Sequence, residues 1–531
     1  MTDLSTTAGK LAGLQQRLEE AHAPRGEKAV EATHEAGRLT ARERVEHLLD
    51  HDSFVEIDAL ARHRVEAHGL DADRPATDGI VAGYGTVDGR KICVFAQDRD
   101  IFDGRLGEVH GEKITKVQKL AATTGVPLVA FLEGAGARAA ENVAAMAFYS
   151  TIIAGQAKAS GLIPQISVVT GELTGPHALL ASLADFTVMV EGGAAVSLTP
   201  PEIITTVTGA EVDPAADLGA QAHAATSGTA HLTAADDASA VTAVAELLGV
   251  LPANNRAEAP RDLDARVTGP ISENVTDRDR ELDAVIPDDS TVPYDVREVI
   301  ERVVDNGWFL ELQAAYADNV VTGFGRIEGR AVAVVANQPV ALAGCLSAAA
   351  AEKAARFIRV ADSFNIPVVT FVDVPGFLPD TGEELAGVVR CTGKLAAAYA
   401  EAAVGTLTVV TRKAMGAAAM VMGAKHLGAD LVFAWPTAEI AAVTADVAVP
   451  EIHAAELAKA ERRRKDTAAM REKFTAEYEA EALTPYLAAE RGLVDAVIPP
   501  NQTRGQLVEG LRLFDRKVIY PPAKKHPNTP L

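Results

Sequence analysis

Four short glycine- and alanine-rich stretches of this 531-residue chain have the composition of turns that could do chemistry. They are Gly134-Ala135-Gly136-Ala137-Arg138, Gly175-Pro176, Val374-Pro375-Gly376-Phe377 and Gly416-Ala417-Ala418. A backbone N–H aimed from a strand-to-helix turn stabilises a negative oxygen, because the first amides of a helix have no acceptor within it and lie at the positive end of its dipole. The chemistry in view is one in which charge develops on oxygen and the main chain stabilises it. Small residues also let helices pack closely on a sheet, and the turns alone do not decide between the two roles. Side-chain chemistry offers less. No Ser/His/Asp set stands out by spacing, and there is no Walker loop, HExxH or zinc pattern, so no metal site is expected. A GxGxxG match is missing after the first strand, where a dinucleotide site would need it.

The elements that must hold these turns show in the hydrophobic pattern. VPLVAFLEG delivers the chain to Gly134 and IPQISVVTG runs toward Gly175, while IPVVTFVD and TLTVVT do the same for Gly376 and Gly416. None alternates polar with apolar residues, which is the pattern of strands covered on both faces. Between them Ile114, Val117, Leu120 and Ala121 recur at helical spacing, and Val87-Asp88-Gly89-Arg90 reads as a tight hairpin. Residues 8–50 read as helical, with Thr40 and Glu43 spaced as a capping box. The arrangement then repeats: DNVVTGFGRIEGR at 318–330 matches DGIVAGYGTVDGR at 78–90, an offset of 240. The same offset pairs Glu352-Lys353 with Glu112-Lys113, Phe371 with Phe131, Asp373 with Glu133 and Gly376 with Gly136. Two homologous α/β domains in tandem are expected, at 1–255 and 293–531. Residues 256–292, rich in Pro, Asn, Asp and Arg, read as the linker.

Composition narrows the partners. A net charge of −23 argues against nucleic acid, which needs a basic face, but leaves room for a small anionic ligand at a local cluster. Arg462, Arg463, Arg464 and Lys465 form one dense basic cluster, read either as a solvated helix face or as a contact for phosphate or an acidic partner. No apolar run reaches the roughly 18–20 residues that span a bilayer, and MTDLSTTAGK lacks the pattern of a secretory signal. A cytoplasmic protein with no membrane partner is expected. Cys93, Cys345 and Cys391 have no CxxC spacing and read as buried free thiols.

Longer stretches carry a family resemblance. LTARERVEHLLD, TDGIVAGYGTVDGR, LGEVHGEKITKV, PQISVVTG and PPEIITTVTGAEV in the first half belong to it. So do EKAARFIRVADSFNIPVVTFVDVPGFLP, VMGAKHLGAD, AWPTAEIA, PYLAAERGLVDAVI and KKHPNTPL in the second. Together they resemble the carboxyltransferase (β) subunit of biotin-dependent acyl-CoA carboxylases of the actinobacterial propionyl-CoA/acetyl-CoA type, over nearly the whole chain. The resemblance implies two crotonase-like (ClpP/crotonase) domains, the first on the acyl-CoA side and the second on the biotin side. It implies a hexamer, of one chain or mixed with a paralogue, with active sites between the first domain of one subunit and the second of another. It also implies the reaction, in which a carboxyl group moves from carboxybiotin, on a separate biotinylated α subunit, to the α-carbon of a coenzyme A thioester. Charge then builds on the thioester oxygen and on the biotin ureido oxygen, and each oxygen calls for N–H donors. By position, the resemblance puts the acyl-CoA oxyanion site at Gly175 and Pro176 and the biotin site at Gly416, Ala417 and Ala418. It assigns substrate binding to Gly134, Ala135, Gly136, Ala137, Arg138 and Met420, and biotin-side contacts to Gly376 and Phe377.

At the same turns the chain departs from the family pattern. A Gly-Gly pair of the family is Gly175-Pro176 here, and proline has no N–H to donate. The family's Gly-Gly-Ala-Tyr-Asp is Gly416-Ala417-Ala418-Ala419-Met420, so an aspartate lining the acyl pocket has become a flexible apolar side chain. Thr444 and Val447 stand where glycines are expected. Three readings stay open: a carboxyltransferase tuned to a bulkier or more apolar acyl-CoA; a repurposed biotin-independent decarboxylase or acyl-transfer enzyme; and a catalytically weak CoA-binding subunit paired with an active paralogue.

Overall fold

A computed structural model describes residues 5–265, 270, 275–463, 465–517, 519 and 523–524. The chain divides into two compact units, Met1–Glu258 and Ala259–Leu531. In the first, one sheet is built from β1 (Val55–Glu56), β2 (Ile80–Val87), β3 (Arg90–Gln97), β4 (Leu128–Ala135), β5 (Gln165–Thr174), β6 (Phe186–Val190), β7 (Ala195–Ser197) and β8 (Leu232–Ala234). The strand order is β1-β2-β3-β4-β5-β6-β8, with β7 paired to β5. From β3 onward the pairings are parallel. Parallel strands need crossovers, and α1 (Glu108–Thr124), α2 (Asn142–Ala159) and α3 (Pro176–Ser182) supply them. Burial explains the absence of alternation: every residue from Leu128 to Gly134 is buried, with α1 and α2 contributing Ile114, Val117, Ala145 and Ile152 to the same core.

The second unit repeats the plan with β9 (Phe309–Leu312), β10 (Val320–Ile327), β11 (Arg330–Asn337), β12 (Val368–Val374), β13 (Thr406–Met415), β14 (Leu431–Ala434), β15 (Glu439–Ala441) and β16 (Ala496–Val497). The order is β16-β14-β13-β12-β11-β10-β9, with β15 on β13. Helices α4 (Ala348–Ser363), α5 (Val388–Glu401) and α6 (Gly416–Met420) follow β11, β12 and β13 in turn. Phe371, Val369 and Leu407 are buried in the sheet core, each stabilising the fold by roughly 1.5–3 kcal/mol.

Matching detail extends below the level of the elements. In the β2–β3 hairpin Asp88 and Gly89 both have positive φ, and their N–H groups donate to Asp50 at 3.0 and 2.8 Å. In the β10–β11 hairpin Glu328 and Gly329 do the same, donating to Asp305 at 3.1 and 2.6 Å. Lys113 is buried with its ammonium on the carbonyls of Thr77 and Ile80, and Lys353 on those of Gln313 and Tyr316. Burial pulls both amines down to about 8. The Thr40–Glu43 capping box is present.

Within the stretch expected to link the units, Asp277–Glu281 is helical and Leu282 is buried in the core of the second unit. Arg464 of the basic cluster and 525–531 of the KKHPNTPL motif lie outside the described residues. No helix among the described residues is long and apolar enough to cross a membrane. Cys93 and Cys391 are buried free thiols and Cys345 is half-buried.

Candidate active site

In each unit two turns stand side by side at the carboxyl ends of adjacent parallel strands, the usual place for ligands on an open α/β sheet. In the first unit β4 pairs with β5 through Gly134–Leu173 and Ala135–Thr174, which brings the Gly134–Arg138 turn beside Gly175-Pro176. In the second, the pairing of Val374 with Ala414 sets Gly376 and Phe377 beside Gly416. The outer turn is tied down identically in both. Leu106 N–H donates to Gly136 O at 3.0 Å and Arg138 N–H to Leu106 O at 2.9 Å; Leu346 N–H donates to Gly376 O at 3.0 Å and Leu378 N–H to Leu346 O at 2.9 Å.

Gly175 has φ +63° and ψ −138°, a combination few side chains tolerate, and its N–H donates to Ser197 O at 3.0 Å. Pro176 opens α3 and has no N–H, while Ala178 N–H turns back to Gly175 O at 3.0 Å. His177, at the second helical position, has no acceptor for its N–H within its own helix. Its side chain is fully buried, with Nε2 at 2.9 Å from Gln97 Nε2 and Nδ1 at 2.5 Å from Tyr149 Oη. Burial holds the imidazole down at about 3, so the ring is neutral.

Arg138 is 5% exposed and its guanidinium is committed within the unit. Nη1 donates to Asp78 Oδ1 at 2.7 Å and Glu141 Oε1 at 3.1 Å, Nη2 to Asp78 O at 2.9 Å, and Nε to Arg105 O at 3.0 Å. The cation also lies 4.6 Å from the centroid of Phe102. Arg138 therefore braces its turn from below. Burial raises the Asp78 carboxyl above the usual range, against the pull of Arg138.

The second unit presents Gly416 at φ +58° on the same kind of turn, with Ala417 exposed and Ala418 buried. Both alanines keep their N–H groups. A cavity of about 450 Å³ opens beside this turn, within the range of small-molecule sites. Val372, Val410, Ile440 and Leu487 line its apolar walls, with Met420, 56% exposed, on its surface. Lys425, also in the lining, is held by Asp495 Oδ2 and Asp430 O, both at 2.8 Å, which leaves Arg491 as the freer cation there. Among the described residues, no three His, Cys, Asp or Glu side chains are grouped to hold a metal ion.

The turns and Met420 all show as motifs in the sequence; His177, Gln97, Tyr149 and His110 belong to none of these. A polar residue directly after Pro176 in an apolar helix, and a glutamine closing an apolar strand, were the available signals.

Comparison with known proteins shows the family. Residues 32–529 match the family model described as the carboxyl transferase domain. The β5 subunit of a biotin-dependent acetyl-/propionyl-coenzyme A carboxylase from Mycobacterium tuberculosis is 52% identical, covering 100% of this chain and 96% of that one. A propionyl-CoA carboxylase β chain from Saccharopolyspora erythraea is 51% identical, covering 100% and 97%. The structure of transcarboxylase 12S, described as a hexamer with methylmalonyl-coenzyme A and methylmalonic acid bound, superposes with a TM-score of 0.94 at 40% identity, covering 99% of each chain.

Proposed function

Since the chain belongs to the carboxyl transferase family, with two crotonase-like α/β units, and is the carboxyltransferase subunit of a biotin-dependent acyl-CoA carboxylase, we propose roles for its turns and a substrate preference. The Gly175-Pro176 turn lies against the thioester carbonyl of the acyl-CoA, and the Gly134–Arg138 turn contacts the same substrate through its backbone, with Arg138 as its brace. Gly416, Ala417 and Ala418 face the biotin side together with Gly376 and Phe377. The residues at the second turn fit that group, because both alanine N–H groups are retained and the side chains are small enough for close approach. Carboxybiotin on a separate biotinylated subunit supplies the carboxyl group and, once CO₂ has left it, a base. The chain's own residues hold the thioester, orient its α-carbon and donate N–H groups to the oxygens that gain charge. Assembly as a hexamer, of this chain alone or mixed with a paralogue, brings a first-unit turn of one protomer to a second-unit turn of another.

The substrate preference is for an acyl chain bulkier and more apolar than propionyl. The observation that carries it is the 450 Å³ cavity with Met420 on its wall, where the family pattern has an aspartate. Apolar lining favours each added buried methylene by about 0.8 kcal/mol, or about fourfold. The test is carboxylation of an acyl-CoA series with the biotinylated partner, ATP and bicarbonate. Wild-type kcat/KM is expected to rise from acetyl- through butyryl- to hexanoyl-CoA. In Ala482→Phe, which fills the cavity from its helical wall, the optimum is expected to move to shorter chains. A wild-type optimum at acetyl-CoA, or an unmoved optimum in the variant, contradicts the preference. Product from a malonyl-type thioester without biotin would contradict the reaction as a whole.

A further inference from the structure

Gln97 closes β3 at full burial and sets the orientation of everything around it. Its carboxamide oxygen accepts the Glu133 N–H at 3.0 Å, so its amino group faces His110 Nε2 at 3.2 Å and His177 Nε2 at 2.9 Å. Both ring nitrogens must then accept, and both rings carry their proton on Nδ1. His110 Nδ1 donates to Asp78 O at 3.2 Å, the carbonyl that Arg138 Nη2 also donates to at 2.9 Å. Arg138 Nη2 lies 3.4 Å from His110 Nδ1 as well, a contact too long to displace that assignment. His177 Nδ1 donates to Tyr149 Oη. A continuous buried path therefore runs from Arg138 in one turn, through the Asp78 carbonyl, His110 and Gln97, to His177 directly after Pro176, and ends on Tyr149 of α2.

We propose that His177 is a positioning residue for carboxyl transfer, its ring holding the Gly175-Pro176 turn in register with the Gly134–Arg138 turn through Gln97. The proposal rests on the reading of Gly175-Pro176 as the acyl-CoA turn. Its physical reason lies in Pro176. With one N–H missing, the placement of the remaining main chain governs how the thioester sits, and a shift near 1 Å costs on the order of 10² in rate. The turn opens α3, a helix of only seven residues that lends it little stiffness, whereas three side chains on three different elements fix it from below. The path ties the two turns together through buried hydrogen bonds, and buried networks of this kind rigidify their surroundings.

The test compares His177→Ala, His177→Gln and Tyr149→Phe in the assembled enzyme with its biotinylated partner, using the acyl-CoA that the wild type turns over best. For His177→Ala, kcat is expected to fall about 10²-fold while KM for acyl-CoA stays within about threefold. His177→Gln keeps an acceptor for Gln97 and is expected to recover at least about a tenth of wild-type kcat. A folded His177→Ala enzyme with kcat within about threefold of wild type overturns the proposal, as does an equal loss in the Ala and Gln variants. Should His177→Ala not fold, Tyr149→Phe decides: a roughly tenfold fall in kcat at constant KM supports it, and an unchanged kcat overturns it. Pro176→Gly, run in parallel, separates the two layers. If it alters kcat and the His177 and Tyr149 variants do not, only the positioning role fails; if none does, the reading of the turn fails too.

Discussion

Beneath the Gly175-Pro176 turn the first unit places Gln97, His110 and His177; at the equivalent positions the second places Asn337, Ala350 and Ala418. Asn337 reproduces one part of the glutamine's work, accepting the Asp373 N–H at 3.3 Å, and its amide nitrogen donates to Gly344 O at 3.4 Å. Alanines have nothing with which to continue a path to the neighbouring turn. The second turn instead adjoins an apolar cavity of about 450 Å³. Strand, glycine and helix are the same in both units, so the backbone that offers N–H groups is specified by local sequence alone. The layer beneath it separates a turn fixed by hydrogen bonds from one with room beside it.

Removing the hub of each layer breaks the comparison most severely. Gln97→Leu leaves the Glu133 N–H and two imidazole nitrogens buried without partners and is expected to destabilise the first unit by about 3–5 kcal/mol. Asn337→Leu leaves one N–H and one weakly bonded carbonyl, and about 1–2 kcal/mol is expected. Hydrogen exchange along each unit in increasing urea measures both; equal losses would mean that the first layer is no more than ordinary core.

A smaller effect sharpens the same contrast through pH. His177 is held at about 3 in the folded chain, against about 6.5 when exposed, so between these values the unfolded state binds the proton that the folded state refuses. Its neutral burial therefore contributes stability fully above about pH 6.5, and that contribution is lost as pH falls toward 3. Asp98, raised by burial to about 7, works in the opposite sense, and His110, held well below its usual range by burial, works in the same sense as His177, so wild-type slopes alone mix several groups. The informative quantity is the difference between wild type and His177→Gln. The variant is expected to lose a few kcal/mol less between pH 6.5 and 4. Parallel stability curves for the two proteins would contradict the buried neutral ring.

How much of this could be read from sequence follows from where each interaction lies along the chain. The turns, the buried strands and the duplication were legible because each is written in contiguous residues or in a repeat at fixed offset. Met420 was legible as a departure from a motif, but its cavity was not, since Tyr478, Leu487 and Val494 reach it from helices and loops 58 to 74 residues downstream. The path through Gln97 was hidden for the same reason. His177 lies 80 residues from Gln97 and 28 from Tyr149, and nothing in a lone histidine announces such partners. Arg138 shows the converse: its place in a turn suggested a ligand contact, while Asp78, 60 residues earlier, holds its guanidinium inside the unit.

The most direct measurement is the carboxylation kcat of Pro176→Gly with the biotinylated partner and the preferred acyl-CoA. Glycine at 176 returns an N–H to the Gly175-Pro176 turn, and a single such donor is typically worth about 10²–10³ in rate. If this turn faces the thioester, kcat rises by about tenfold or more at little change in KM. A kcat identical to wild type would show that Gly175-Pro176 does not touch the oxygen that gains charge.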